Sequence, residues 1–265
     1  MMIIEGNLLK MTSVFNDVVR YSLPLGSKML GMNLLIGQEI ELEWLKQINC
    51  IKCGKSTNKS FNQGFCYNCF LTAPESDPAV VRPELDQAHL GISRDMEWAK
   101  TYSLVEHSVY LSVTSGVKVG VTRSQNIMTR WIDQGASQAI VLAHTPYRHL
   151  AGVIEVALKE HFDDKTKWQD MLCGRTSGNL NLTENKEKAA NLLPPELQQY
   201  VSDDNEIVKI NYPISNYPQK IKSIDLEKTV KFKDILTGIK GQYLYFGDMV
   251  INIRKYQGYL VKVSS

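Results

Sequence analysis

Residues 109–121 read Val-Tyr-Leu-Ser-Val-Thr-Ser-Gly-Val-Lys-Val-Gly-Val. Two runs rich in β-branched and aromatic residues, 109–113 and 117–121, flank the turn-forming Thr114-Ser115-Gly116, a pattern that predicts a β-hairpin. Downstream, Ser124 can cap a helix reaching about Gln134, with Ile127, Met128, Trp131 and Ile132 on its apolar side and Gly135 to stop it. A third strand is expected over 139–143. Pro146 then stands where a helix can begin without losing a hydrogen bond, and that helix is expected to run to about Phe162. A further short helix is expected around 165–172. The central segment, 104–175, thus has the order β-β-α-β-α.

Outward from this segment the chain is divided by its breakers. Glu39, Glu41 and Glu43 alternate with Ile40, Leu42 and Trp44, the period of a half-buried antiparallel strand, so 1–45 reads as a small β unit. Pro74, Pro78 and Pro83 among acidic residues mark 74–103 as a linker. Ser177-Gly178-Asn179 and Pro194-Pro195 bound a helical linker over 176–205. From 206 to 265 the chain is expected to return to strands, with a hairpin turning at Gly247-Asp248 and another turn at Gln257-Gly258. The fold class expected is α+β.

Between these parts, at 46–73, Cys50, Cys53, Cys66 and Cys69 fall as C-x2-C-x12-C-x2-C. Each pair can sit on a tight turn that aims two thiolates at one tetrahedral metal, with Gly54 and Gly64 allowing the backbone to bend. Two disulfides are the alternative, but they need an oxidising compartment for which the sequence gives no sign. A structural zinc ion held by all four cysteines, in a zinc-ribbon or treble-clef knuckle with no open position for catalytic water, is the expectation. Cys173 is left as an ordinary half-buried thiol.

With 265 residues, of which 43% are hydrophobic and 22% charged, the chain is long enough for a real core and is not of disordered composition. No run approaches the ~18 apolar residues of a membrane span, and the N-terminus lacks a secretory leader, so no membrane partner and a cytoplasmic location are expected. The net charge of +2 hides an uneven distribution. Residues 46–70 contain Lys46, Lys52, Lys55 and Lys59 and no acid, and 206–265 carries a further excess of bases. Basic patches of this kind suit nucleic acid, DNA or RNA, while a solvated loop is the plainer alternative. In the C-terminal segment Lys231, Lys233, Lys240, Arg254 and Lys255 interleave with Phe232, Tyr243, Tyr245, Tyr256 and Tyr259. Such rings can stack on bases or fill the core of a small β-barrel.

The central segment resembles the GIY-YIG nuclease superfamily. The resemblance lies in Val109-Tyr110 of the first strand, Lys118-Val119-Gly120-Val121-Thr122-Arg123 of the second, Arg130 of the following helix and Ile154-Glu155 of the next. It is closest to the branch whose second motif reads Lys-Ile-Gly. With its zinc unit, the whole chain resembles an uncharacterised bacterial family in which four cysteines precede a GIY-YIG-like domain. The resemblance implies that Tyr110 acts near the attacking water, that Arg130 stabilises the phosphate and that Glu155 holds Mg²⁺ or Mn²⁺. Lys118, Arg123 and Arg148 are then candidate nucleic-acid contacts. Two positions depart from the pattern: Lys118 replaces a tyrosine and Ser108 a glycine.

The residues themselves leave each role open to a plainer reading. Glu155 stacks with Ala151, Leu158 and Phe162 at the edge of an apolar stripe, where a carboxylate needs a cation, and Lys159 at i+4 can supply one. Arg130 suits phosphate, yet it can pair with Asp133 or Gln134. Tyr110, in an alternating strand, can be core. His107, His144, His149 and His161 show no shared metal spacing and are taken singly. A nucleic-acid-binding protein and candidate metal-dependent endonuclease is therefore expected, with a non-catalytic zinc adaptor as the alternative.

Overall fold

The central hairpin forms as His107–Val113 and Val117–Arg123, paired antiparallel so that Tyr110 faces Gly120 and Ser112 faces Lys118. The structure, a computed structural model, describes residues 2–162 and 167–265. His107–Val113 also pairs antiparallel with Gln138–Thr145, which places it inside the sheet, and Val208–Lys209 adds a short strand beyond. Alternation then separates two faces. Val109, Leu111 and Val113 join Val117, Val119 and Val121 in one apolar core with Ile154 and Leu158 of the helix Arg148–Leu158 and Leu182 and Ala189 of the helix Leu182–Leu192. The opposite face carries Ser108, Tyr110, Ser112, Lys118 and Thr122, all buried.

The helices depart from expectation at their ends. Ser124–Asn126 is a 3₁₀ turn, and the α-helix proper is Ile127–Asp133. Gly135, at φ +71°, turns the chain out of it, a conformation that glycine takes without strain. Tyr147 is extended, so Pro146 lies before the next helix, which runs Arg148–Leu158 and stops short of Phe162. The short helix expected from residue 165 is seen as Trp168–Leu172, and the part of that expectation at 165 and 166 lies outside the described residues.

Neither stretch read as a linker is one. Residues 74–103 fold into Pro78–Val81, capped by Asp77, the turns Pro83–Leu85 and Ala88–Leu90, and Met96–Tyr102, capped by Asp95. The prolines that suggested a break instead start short helices, where a missing N–H is harmless. This segment packs on the helix Arg148–Leu158 at Gly152, where a Cβ would stand 2.5 Å from the carbonyl carbon of Pro83. The stretch 176–205 supplies Leu182, Ala189, Leu193 and Leu197 to the core. Both belong with the central segment in one compact unit, Pro74–Ile210.

The other unit joins Met1–Ala73 to Asn211–Ser265, so the parts expected separately at 1–45, 46–73 and 206–265 are one body except for 206–210, which belong to Pro74–Ile210. Its main sheet has the order Ile3–Asn7, Tyr259–Ser264, Glu39–Ile48, Lys231–Ile235, with antiparallel neighbours throughout. Ile40 and Leu42 are buried, while Glu39 and Glu41 pair across strands with Lys233 (2.6 Å) and Lys231 (2.9 Å). The hairpin Tyr243–Phe246 and Met249–Asn252 turns at Gly247 as expected. Its rings face inward: Tyr245, Phe246, Tyr256 and Tyr259 are buried, and Phe232 meets Phe246 edge-on at 4.9 Å. The aromatic residues of the C-terminal segment are therefore largely core. No helix among the described residues is long and apolar enough to cross a membrane.

Lys240 is 3% exposed, with its ammonium 5.3 Å and 4.9 Å from the ring centroids of Tyr212 and Tyr217. Burial lowers its pKa from 10.5 to about 8. Between those values the unfolded chain binds the proton and the folded chain does not, so stability rises with pH through that window and the gain is lost as pH falls through about 8. Urea unfolding across pH 7.5–10.5 should show that rise in the wild type, and Lys240→Met should flatten it and raise stability at pH 7.5. An unchanged slope would contradict the assignment.

Candidate functional site

The four cysteines come together on two different backbones. Cys50 and Cys53 lie on a turn in which the Gly54 N–H donates to the Cys50 carbonyl at 2.8 Å, with Gly54 at φ +73°. Cys66 and Cys69 sit at the start of the helix Tyr67–Thr72, whose first turn closes through Phe70 N–H to the Cys66 carbonyl. The four sulfur atoms lie within 4.8 Å of one another, and Cys53 Sγ is 3.9 Å from Cys66 Sγ. A tetrahedron of ~2.3 Å metal–sulfur bonds has edges of ~3.8 Å, so the cluster can hold a metal ion such as zinc. Burial opposes ionisation of Cys50, but the backbone N–H groups of Cys66, Cys53 and Lys52 outweigh it and bring the thiol down to about 6. Burial and hydrogen bonds with Cys66, Cys53 and Cys50 push Cys69 up to about 12. Four thiolates at this spacing need a cation to coexist.

On the buried polar face of the second sheet, Tyr110 lies over Gly120. A Cβ on Gly120 would be 2.6 Å from Tyr110 Oη and 2.7 Å from Cζ, so the missing side chain is what lets the ring lie there. Trp131 closes on the ring edge-on at 6.0 Å. From the same helix Arg130 reaches a hydrogen bond to the Tyr110 hydroxyl. Gln134 holds both: in the amide orientation that satisfies its neighbours, its oxygen accepts from Arg130 Nε (3.0 Å) and Nη2 (3.1 Å), and its nitrogen donates to Tyr110 Oη (2.9 Å).

Glu155 completes the group, half-buried and electrostatically coupled to both Tyr110 and Arg130. Burial raises its pKa above the ordinary value and Glu84 adds to the rise, against the pull of Lys159, Arg130 and Arg148. Burial likewise raises Tyr110 despite Arg130, so its hydroxyl keeps its proton at neutral pH. Arg130 is raised in turn, because Tyr110 and Asp133 outweigh the effect of burial. Tyr110, Arg130 and Glu155 thus share one neighbourhood, in which Tyr110 is fully buried and Arg130 half-buried.

The other candidates are placed differently. Arg148 is 5% exposed: its Nε donates to the Ala79 carbonyl (3.1 Å), its Nη2 to that of Val80 (2.6 Å), and Asp86 lies 3.9 Å away. Its guanidinium fastens the 74–103 segment, which corrects the expectation of a surface phosphate contact. Arg123 stacks over Tyr102 at 4.8 Å, and Lys118 is 8% exposed on the Tyr110 face. His107 is buried, with Nδ1 2.8 Å from the Val105 carbonyl; burial, backed by the charges of Arg148 and Arg123, depresses its pKa to about 4. His144 is exposed beside Glu106 at 3.5 Å, His149 stacks on His89 at 4.6 Å, His161 is exposed, and Cys173 is buried. From the sequence Gln134 reads only as a surface partner of Arg130. Glu84 and Tyr102 lie in the stretch read as a linker, where nothing local marked them.

A family model described as "Protein of unknown function (DUF2797)" matches residues 37–261, a span that takes in the cysteine cluster and the Tyr110 group. No curated protein and no solved structure matches the chain.

Two substitutions test this geometry. Cys66→Ser should lose the metal, read as a drop from about one ion per chain by elemental analysis, and should unfold the segment it closes, because binding and folding free energy are one quantity there. Gly120→Ala should force Tyr110 off its ledge and destabilise Pro74–Ile210 by ~1–3 kcal/mol in urea unfolding.

Proposed function

The chain belongs to the DUF2797 family, and we propose that it is a nucleic-acid-binding protein whose Tyr110, Arg130 and Glu155 hydrolyse phosphodiesters with a divalent metal. The observation that carries this reading is that Gln134 ties Tyr110 to Arg130 by hydrogen bonds while Glu155, from a third element, interacts electrostatically with both. A sheet with its first strand inside, followed by a helix bearing Arg130 and another bearing Glu155, supports the likeness to GIY-YIG nucleases.

Glu155 fits an oxygen-donor ligand for Mg²⁺ or Mn²⁺, since burial holds its pKa up against Lys159, Arg130 and Arg148 and a second acid, Glu84, adds negative charge. When bound, such an ion supplies positive charge against the phosphate oxygens. Arg130 offers a planar fork to the same oxygens, held by Gln134 in one orientation before substrate arrives. Tyr110, neutral in its buried setting, acts through its hydroxyl to orient a water molecule and does not attack as a phenolate. Zinc is the ion assigned to the four cysteines, in a closed structural role.

Contact with the strand is assigned also to the cysteine segment. Lys46, Lys52, Lys55 and Lys59 are all exposed there, and Phe61 lies 5.4 Å from Tyr67 and 5.8 Å from Phe70. Basic side chains around partly exposed rings suit single-stranded nucleic acid. One observation favours the adaptor reading instead: Tyr110 is fully buried and Lys159 already neighbours Glu155, an arrangement that can be purely structural.

Incubation with single- and double-stranded DNA and RNA in Mg²⁺ or Mn²⁺ separates the two. Glu155→Gln should abolish cleavage while leaving fold and binding nearly intact, Arg130→Ala should slow it at least tenfold, and Lys159→Ala should matter little. No cleavage of any substrate by the wild type would favour the adaptor. Binding itself should weaken as salt rises, and Lys52→Glu combined with Lys55→Glu and Lys59→Glu should reduce that dependence.

A further inference from the structure

A cavity of about 250 Å³ opens in the 74–103 segment, lined by Trp98, Tyr102, Leu85, Ile92, Gln87 and Arg94 among others. It falls just below the ~300–1,000 Å³ usual for drug-sized ligands, a size that suits one flat ring system. Trp98 and Tyr102, one helical turn apart on Met96–Tyr102, stack at 4.1 Å and 19°, and both are half-buried. Arg94 is fixed at the rim by Asp77 at 2.9 Å. The wall therefore combines aromatic rings, aliphatic side chains and a few polar groups able to meet the edge of a heterocycle.

Tyr102 links this cavity to Arg123. Arg123 stands 4.8 Å from its ring, and Arg148, already committed to the Ala79 and Val80 carbonyls, 5.1 Å. Aromatic rings beside a guanidinium are the pairing that a nucleotide needs, with its base on the rings and its phosphate toward the cation. We infer that the cavity receives one unstacked base of a single-stranded nucleic acid whose phosphate lies toward Arg123. The inference rests on the nucleic-acid reading above and deepens it: the substrate class becomes a strand with at least one splayed base, and the 74–103 segment becomes its binding wall. An intact duplex keeps its bases paired and stacked, and unstacking one opposes binding.

The test uses the full-length protein and fluorescence anisotropy of short labelled oligonucleotides at low salt. Single strands are compared with duplexes, and with single strands carrying one abasic site at each successive position. Wild-type protein should prefer single strands and should lose about tenfold in affinity when the abasic site falls at one position. Trp98→Ala should lose a similar factor on the intact strand and become indifferent to the abasic site, while Trp98→Phe should keep most of the affinity; unfolding curves for both variants verify that they fold. The abasic series on the wild type requires no variant and stands alone if Trp98→Ala does not fold. Binding that is equal for every abasic position overturns the inference and leaves the nucleic-acid reading in place. Absence of binding to any oligonucleotide overturns both.

Discussion

Tyr110 lies flat over Gly120, and the candidate chemistry of Pro74–Ile210 takes its positions from that contact. The strand His107–Val113 is hydrogen-bonded along both edges and buried on both faces, so its side chains have no freedom to drift. On one face its valines and leucine meet two helices. On the other the tyrosine ring fills the space that a side chain at Gly120 would need, and its hydroxyl then reaches Gln134 and Arg130. A buried hydroxyl without partners is unfavourable, so the amide and the guanidinium are as much a structural requirement of Tyr110 as an opportunity for catalysis.

The 74–103 segment sets the electrostatics around that cluster. It is seated by a close backbone approach at Gly152 and by a buried arginine that donates to two of its carbonyls. Asp86 accepts from Ser103 at 2.5 Å and lies near Arg148, so the positive charge brought inside has a counter-charge. Burial of Glu155 and His107 disfavours the charged form of each: the carboxyl rises and the imidazole falls. The same segment builds the aromatic cavity, so one stretch of chain provides cover, field and candidate binding wall.

In the other unit, hydrophobic burial holds the sheet, and the four clustered cysteines stand where that burial is thin. The first and last strands pair with each other, and Glu39–Ile48 runs between Tyr259–Ser264 and Lys231–Ile235 before delivering the chain to Cys50. The cysteine segment buries Cys50 and Phe65 but leaves most of its surface open, too little apolar area to hold two turns and a six-residue helix without a cross-link. Four convergent cysteines can provide that link by holding a metal ion. Paired glutamates and lysines on the sheet use up Lys231 and Lys233 locally, while the lysines of the cysteine segment remain exposed.

Local pattern was enough for some of this. Alternating valines gave the central hairpin, a period of two gave the strand at Glu39, Gly247-Asp248 gave the C-terminal turn, and C-x2-C-x12-C-x2-C gave the cysteine cluster, because each depends on neighbours within a few residues or on ligand chemistry that permits few alternatives. Helix ends were less legible, since Tyr147 being extended is a matter of how the chain leaves the strand before it. Proline-rich 74–103 and polar 176–205 looked like linkers because local composition says nothing about which distant surface a short helix will cover. The direction of the C-terminal rings, the burial of Arg148 and Lys240, and the joining of residues 1–73 to 211–265 were decided by long-range strand pairing and by which faces were left to be covered. By itself the sequence determined the hairpin and the set of four clustered cysteines, while Tyr110, Arg130 and Glu155 were singled out only by a resemblance. Only the tertiary structure decided that Gln134 ties two of these together and that Glu84 and Tyr102 stand beside them, because hydrogen-bond partners and stacking neighbours are set by distance in space, which residue spacing along the chain does not encode.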